Sequence, residues 1–332
     1  MTDAIVVEGL TKRFGELLAI DAIDFAVPQR SVFGLLGPNG AGKTTAVRIL
    51  ATVLEPDLGT ATVLGRDVVE EAHAVRRLIG LAGQFAAVDP NLTGRENLRL
   101  IGKLTQLDPA VIDRRAAELL ARFDLLDSVD RPVRTYSGGM RRRLDVAAAL
   151  VPKPPVLFLD EPTTGLDLFS RNELWSMIRE LVADGTTVLL TTQYLEEADR
   201  LADRVAVVDH GHVIANDTPK ALKAQLGSTV AELGFAEEDA AERARAVLAP
   251  QYPDLVRDDA TLRLATNDGA GVLVVVLRTL DGEGLSPTTL AVHEPSLDDV
   301  FLSLTGRRAE TDQETGTEPA AATGRRGRRR RR

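Results

Sequence analysis

Short apolar runs alternate with helical patterns along most of the chain. Residues 3–10 and 23–27 alternate apolar and polar side chains, as antiparallel strands do. Unbroken apolar runs at Val32–Leu36 and Val156–Leu159 indicate strands that are buried on both faces. From Asn172 to Val208, helix and strand patterns follow one another, which predicts a mainly parallel sheet flanked by helices.

Two other regions have different periodicity. From about Asn91 to Asp130, apolar side chains recur every three or four residues, which predicts a helical insert within the α/β framework. Residues 229–305 carry shorter strand and helix patterns that predict a small α+β appendage. Within it, Ala270–Leu280 fits either a helix or a strand, whereas Leu297–Leu304 places apolar residues on one helical face.

The composition narrows the functional classes. The chain has 332 residues, 44% of them apolar, and no apolar run approaches the ~20 residues of a membrane-spanning helix. Its start carries Asp3 and Glu8 and lacks an apolar signal region, so we expect no secretion. Because the chain has no cysteine, disulfides and thiolate metal sites are excluded, and a reducing compartment fits.

Charge is distributed unevenly along the chain. The net charge is −9, and seven of the last eight residues are arginine, so residues 1–324 carry −16. Such an acidic body is a poor nucleic-acid binder. We favour a solvated, disordered tail at 307–332. Attraction to anionic lipid headgroups, at roughly 1 kcal/mol per arginine near the surface, is a second interpretation, and nucleic-acid binding is the least favoured.

The strongest chemical signal is a glycine-rich turn between a predicted strand and a predicted helix. It consists of Gly37, Pro38, Asn39, Gly40, Ala41, Gly42, Lys43, Thr44 and Thr45. Glycines let several backbone N–H groups converge on one anion, and the helix start behind them adds a positive dipole end. Lys43 can then reach the β- and γ-phosphates of a nucleoside triphosphate, and the Thr44 hydroxyl can bind Mg²⁺. The alternative, a turn without phosphate chemistry, is disfavoured by the flanking strand and helix.

An acidic pair ends the second buried strand. Asp160 closes this strand, where a carboxylate can hold Mg²⁺ directly or through water. Glu161 comes next, so on a regular strand it would point to the opposite face of the pleat. It is the candidate general base that polarises the water attacking the γ-phosphate. The alternatives are an ordinary strand-end carboxylate and an adjacent surface acid.

The order of motifs up to about Thr218 resembles the ATP-binding subunits of ABC transporters. The matching pieces are the phosphate loop, Gln84 for the Q-loop, Tyr136–Met140 for the signature, Val156–Glu161 for Walker B and Thr164–Asp167 for the D-loop. The resemblance implies an α/β fold: a P-loop NTPase (ABC ATPase) core with an antiparallel β subdomain and a helical subdomain, plus a small C-terminal α+β domain. The predicted domains are an ATP-binding domain at 1–222 with its helical part at about 86–150, an accessory domain at 223–306, and the tail at 307–332.

The resemblance also implies roles for further residues. Gln84 would contact metal or water where the ATPase meets its membrane subunit. The signature residues are Ser137, Gly138 and Gly139. They open a helix whose N-terminus would close on the ATP of a second copy, and Asp167 would cross the same interface. Phe14 falls where the family places an aromatic that stacks on adenine. The alternatives without a catalytic role are that Gln84 is an ordinary loop residue, that Ser137 is only a helix N-cap and that Phe14 is a core residue.

The implied cofactors are ATP and Mg²⁺, with Thr44, Gln84 and Asp160 as metal ligands. The implied partners are a second copy in a two-fold ATP sandwich and a separate integral-membrane permease. An anionic membrane surface is a further candidate partner, and no nucleic acid is expected. The implied location is the cytoplasmic face of the cell membrane, as a peripheral protein.

Two segments indicate which branch of the family this chain resembles. Glu294–Gly306 and Thr192–Asp199 resemble the daunorubicin-resistance type of exporter ATPase, which is associated with removal of hydrophobic drugs. The helix predicted at Leu297–Leu304 either docks an apolar stripe or only completes the core of the appendage. One rival function is a non-transport ABC factor that acts on nucleic acid or ribosomes, although such proteins usually carry two cassettes in one chain. A second is a regulatory nucleotide-binding module with weak turnover.

One position departs from the family pattern. Where the family usually has a switch histidine, this chain has Gln193, which we assign with Glu161 to catalysis. Glutamine can donate a hydrogen bond to a γ-phosphate oxygen, but it cannot carry charge.

We therefore expect ATP turnover without the pH step that a titrating histidine would produce. Gln193→Ala should lower turnover, because the hydrogen bond to the γ-phosphate is lost. Steady-state ATPase assays of both proteins across pH check this, and unchanged activity in the variant would contradict the role of Gln193.

Overall fold

The computed structural model describes residues 2–83, 87–227, 229–266 and 271–306. Gln84 and the predicted tail at 307–332 lie outside the described residues. The strands are β1 (Asp3–Phe14), β2 (Leu17–Pro28), β3 (Val32–Leu36), β4 (Leu58–Val63), β5 (Arg66–Asp67), β6 (Ile79–Ala82), β7 (Val156–Asp160), β8 (Thr187–Thr192), β9 (Arg204–Asp209), β10 (His212–Asp217), β11 (Thr229–Gly234), β12 (Val256–Asp258), β13 (Thr261–Thr266) and β14 (Thr289–His293). The helices are α1 (Lys43–Leu50), α2 (Ala72–Leu78), α3 (Gly94–Leu104), α4 (Pro109–Arg122), α5 (Gly138–Ala149), α6 (Leu168–Ala183), α7 (Leu195–Leu201), α8 (Pro219–Gln225), α9 (Glu238–Leu248), α10 (Gly271–Gly282) and α11 (Leu297–Thr305).

A six-stranded sheet with the order β10-β9-β3-β8-β7-β6 forms the centre of the protein. Strands β6 to β9 and β3 run parallel, and β10 is antiparallel to β9. Every residue of β3, β7 and β8 is buried, as expected for parallel strands covered on both faces. Leu36 pairs with Thr192, and Asp160 pairs with Thr191. Three neighbouring strands therefore end at one edge of the sheet.

A second, antiparallel sheet with the order β2-β1-β4-β5 packs on the phosphate-loop side. Its β1–β2 hairpin extends beyond the predicted strand ends, so that Phe14 pairs with Leu17 at the tip. Apolar residues of this hairpin share one buried cluster with α1 and with Phe33 and Phe158 of the central sheet. This packing holds the hairpin tip beside the start of α1.

The predicted helical insert consists of α3 and α4, followed by α5. Thr93 caps α3 in a capping box with Glu96, and Asp108 caps α4 just before Pro109. Both helices therefore begin at residues that favour a helix start. Apolar residues of all three helices join one cluster with β7 and α6. The insert therefore packs on the central sheet at the Walker B strand.

The remaining residues form a third sheet with the order β12-β13-β11-β14 and two helices packed on one of its faces. The stretch predicted as either helix or strand is the helix α10. Strand β10 was not predicted, because its residues are only partly buried and lack a continuous apolar run. The predicted fold class agrees with these three sheets and the helical insert, while the domain boundaries stay a prediction.

The last helix, α11, packs on the ATP-binding part of the chain. Leu297 and Phe301 lie in a cluster with Leu36, Leu195 and Leu222, which come from β3, α7 and α8. The interpretation that this helix only completes the core of the appendage is therefore wrong. Helix α11 packs against α7, the helix that follows Gln193.

Phe301→Ala should destabilise the protein by about 3–5 kcal/mol, because it leaves a cavity where Phe301 is 2% exposed. Leu304→Ala is the control on the same helix, since Leu304 is 43% exposed and should change stability by less than about 1 kcal/mol. Urea denaturation followed by circular dichroism measures both. Equal effects of the two substitutions would contradict the packing.

A carboxyl group is buried between α6 and α7. Glu197 is 0% exposed, and its Oε1 accepts a hydrogen bond of 3.0 Å from the indole N–H of Trp175. Burial raises the pKa of Glu197, and hydrogen bonds from neighbouring side chains oppose this only in part. The folded protein therefore binds this proton more tightly than the unfolded chain does.

The contribution of Glu197 to stability should be present at acidic pH and be lost as pH rises from its unfolded pKa of about 4.5 through its raised pKa in the folded protein. Glu197→Gln should remove this loss of stability at higher pH, because the amide does not ionise, and its carbonyl oxygen can still accept the hydrogen bond from Trp175. The melting temperature of the variant, minus that of the native protein, should increase from pH 4.5 to pH 8. Glu196→Gln in the same helical turn is the exposed control, and a difference that is flat with pH for Glu197→Gln would contradict the prediction.

Candidate functional site

The glycine-rich turn forms a tight loop between β3 and α1. Gly40 and Gly42 have φ values of +80° and +106°, a backbone region that favours glycine. A Cβ atom on Gly42 would lie 2.4 Å from the Ala19 carbonyl oxygen, so no larger residue fits without a backbone shift. The loop therefore curls back to the start of α1, and the N-terminus of that helix can bind an anion.

Lys43 is held inside this loop. It is 4% exposed, and its Nζ donates hydrogen bonds of 2.7 Å to the Gly37 carbonyl and 2.9 Å to the Pro38 carbonyl. The same ammonium lies 3.8 Å from Oε1 of Glu161. A buried cation is therefore placed at the mouth of an anion-binding loop, where it can contact phosphate oxygens.

Asp160 provides a carboxylate beside the loop. Its Oδ1 accepts hydrogen bonds from Oγ1 of Thr44 at 3.1 Å and from Oγ1 of Thr191 at 2.5 Å. Hydroxyl and carboxylate oxygens are the ligands that Mg²⁺ prefers, so Thr44 and Asp160 fit this ion. The third predicted ligand, Gln84, lies outside the described residues. It follows β6, whose carboxyl end pairs with β7 at the same sheet edge.

Glu161 departs from the expected pleat. Its φ is +47°, a left-handed conformation that costs a non-glycine residue about 1 kcal/mol or more. Its backbone N–H is fixed by the carbonyl and the hydroxyl of Thr191, at 3.2 Å and 3.0 Å. The expectation that Glu161 points to the opposite face is therefore wrong, because Asp160 and Glu161 both face the phosphate loop.

Gln193 follows the carboxyl end of β8, which lies between β3 and β7. Its Oε1 is buried and accepts no hydrogen bond from the residues that the structure describes. The backbone N–H of the next residue, Tyr194, donates to the Thr192 hydroxyl at 2.9 Å, which fixes the turn after the strand. Gln193 therefore lies at the sheet edge that carries the loop and the acidic pair.

An open groove of about 450 Å³ runs along the loop. Its lining residues are Phe14, Leu17, Leu18, Ala19, Asn39, Gly40, Ala41, Gly42, Lys43, Thr44, Thr45, Glu161 and His210. Phe14 is 45% exposed, which makes it an accessible aromatic surface and not a core residue. His210 lies in the turn between β9 and β10, and the sequence had no signal for it because its position depends on the unpredicted strand β10.

The signature and D-loop residues lie together but do not line this groove. Ser137 caps α5 by accepting from the Met140 N–H at 3.2 Å, and Asp167 caps α6 by accepting from the Ser170 N–H at 2.8 Å. A Cβ on Gly139 would lie 2.5 Å from Oγ of Ser170, so the two helix starts are in close contact. The hydrogen bond from Ser170 is the main reason why the pKa of Asp167 is lowered, so this exposed residue carries a negative charge.

Across the described parts of the chain, each helix is either too short or too polar to cross a lipid bilayer.

Comparison with known proteins identifies the family. The family model described as "ABC transporter" matches residues 20–164. Daunorubicin resistance ATP-binding protein DrrA2 of Streptomyces coeruleorubidus is 51% identical over 93% of this chain and 97% of its own length. Daunorubicin/doxorubicin resistance ATP-binding protein DrrA of Streptomyces peucetius is 49% identical over 96% and 97%. Nod factor export ATP-binding protein I of Ralstonia nicotianae is 42% identical over 92% and 95%.

A solved structure described as the ATP binding subunit of an ABC transporter is 27% identical, with a TM-score of 0.61 over 67% of this chain and 92% of its own. The predicted family and fold class are thereby confirmed. This chain belongs to the ABC transporter family, among the subunits that bind and hydrolyse ATP.

Proposed function

We propose that this chain is the ATP-hydrolysing subunit of an ABC exporter that drives the efflux of a hydrophobic drug through a separate membrane permease. The observation that carries the catalytic part is the convergence of Lys43, Thr44, Asp160 and Glu161 on one phosphate loop. Lys43 and the loop N–H groups bind the phosphates, and Phe14 at the other end of the groove stacks on the adenine.

Thr44 and Asp160 would hold Mg²⁺, with Gln84 as the third predicted ligand, and the ion would neutralise charge on the β- and γ-phosphates. Glu161 orients the attacking water and accepts its proton. The fixed backbone conformation of Glu161 limits the positions that its carboxylate can take. A general base needs such a restricted position relative to the attacking water. Gln193 donates a hydrogen bond to the γ-phosphate.

The same geometry supports a two-fold dimer. Ser137 and Asp167 lie side by side at two exposed helix starts, and neither lines the groove that holds the phosphate loop. A helix N-terminus binds anions. We infer that these residues complete the ATP site of a second copy, so that ATP closes a symmetric sandwich and hydrolysis reopens it.

The names of the relatives support the transported class. Two relatives at 51% and 49% identity carry daunorubicin resistance in their names, and one at 42% is named for Nod factor export. A hydrophobic drug is therefore the proposed cargo, and the proposed location is the cytoplasmic face of the cell membrane beside the permease.

Glu161→Gln should lower steady-state ATP hydrolysis by at least about 100-fold, because the amide cannot accept the proton of the attacking water. Binding of MgATP should persist, since Gln keeps the size of the side chain and the loop is unchanged. Glu70→Gln on the surface is the control and should retain full activity. Phosphate release and equilibrium binding of a fluorescent ATP analogue measure the two effects.

The same variant tests the sandwich. Without hydrolysis, Glu161→Gln should form dimers in MgATP and remain monomeric in MgADP, as measured by light scattering after size-exclusion chromatography. A variant that is saturated with MgATP and stays monomeric would overturn the shared active centre.

A further inference from the structure

Arg142 lies in the first turns of α5, the helix that begins with the signature residues. Its side chain is 12% exposed, and its guanidinium makes four hydrogen bonds within the chain. Nε donates to the Pro162 carbonyl at 2.9 Å, and Nη2 donates to the Asp160 carbonyl at 3.1 Å. These two carbonyls flank Glu161, so Arg142 holds the backbone on both sides of the catalytic base.

The other nitrogen of the fork, Nη1, extends the connection to β6. It donates to the Gly83 carbonyl at 2.6 Å and to Oδ2 of Asp145 at 3.2 Å. Asp145 is 1% exposed, and its Oδ1 accepts from the Ala87 N–H at 2.7 Å. One ion pair on α5 therefore holds the ends of β6 and β7 and the backbone at Ala87.

The ion pair between Arg142 and Asp145 is buried, although charged groups are more stable in water. Burial lowers the pKa of Arg142 and raises the pKa of Asp145, and the pair is stabilised by mutual attraction and by the four hydrogen bonds of the guanidinium. A planar guanidinium with five N–H donors can bind three carbonyls and a carboxylate at once, whereas the lysine ammonium has only three donors. Neither residue touches the groove that binds ATP.

We propose that Arg142 is a positioning residue that couples the two ATP sites of the dimer, with Asp145 orienting it. The inference rests on the proposed sandwich. In that sandwich, Ser137 at the start of α5 contacts the ATP of the partner, while Arg142 about one turn later holds Glu161 of its own site. Movement of α5 on ATP binding in one site is then transmitted to the catalytic base of the other.

The test uses the full chain with Arg142→Met, which keeps most of the apolar stem and removes all four hydrogen bonds. The native protein should hydrolyse ATP with a Hill coefficient clearly above 1 and at most about 2, the limit for two sites, and a native value of about 1 would overturn the coupling. In the variant, we expect kcat to fall by about tenfold or more and the Hill coefficient to fall to about 1. The affinity of the isolated monomer for a fluorescent ATP analogue should stay within about twofold, because the phosphate loop is untouched.

Arg141→Met is the matched control, since Arg141 is exposed on the same helix and should leave both quantities unchanged. A native Hill coefficient for Arg142→Met, even with reduced kcat, would show that Arg142 acts within one site only and would overturn the coupling. If Arg142→Met does not fold, as judged by thermal melting, then Asp145→Asn decides. This variant keeps the acceptor for Ala87 and weakens the hold on Arg142, so retained cooperativity rejects the proposal and lost cooperativity supports it.

Dimer formation by Glu161→Gln in MgATP distinguishes a failure of the coupling proposal from a failure of the proposed function. If no dimer forms with Arg142 intact, the sandwich is rejected, and the coupling with it. If the dimer forms and Arg142→Met keeps native cooperativity, only the coupling is rejected.

Discussion

The active centre depends on the parallel register of three neighbouring strands. Because β3, β8 and β7 end at one edge of the sheet, the phosphate loop, Gln193 and the acidic pair emerge side by side. The hydrogen bonds of the sheet set this register, and the fully buried side chains of the three strands prevent a slip, since a shift by one residue would exchange their two faces. All later chemistry requires that alignment.

Charged groups at this edge are buried only where they have partners. Lys43 is bonded to two loop carbonyls and lies near Glu161, while Asp160 accepts from two hydroxyls. An unpaired buried charge would cost several kcal/mol, so the partners are part of the stability of the site as well as its chemistry. The same groups are arranged for a phosphate and a hard cation, which explains why a protein retains costly polar groups at this position.

The catalytic base is connected to distant parts of the chain through its backbone. Thr191 fixes the N–H of Glu161 from β8, and Arg142 fixes the flanking carbonyls from α5. Helix α11 packs against Leu36 and Leu195, next to the strand end and the loop that carry the phosphate site and Gln193. Helices α5 and α11 therefore both contact elements that carry residues of the phosphate site.

The sequence by itself determined the local features of this protein. The apolar runs of β3 and β7 and the glycines of the loop act over a few residues, so their pattern predicted the elements, the family and the phosphate chemistry. Contacts between residues far apart in the chain were decided only by the tertiary structure. Glu161 is left-handed because Thr191, on another strand, fixes its N–H, and His210 reaches the groove through a hairpin with no apolar signal. Helix α11 has an apolar face that the sequence could not assign to a partner, because the residues that it packs on, Leu36 and Leu195, are about a hundred or more residues away in the chain.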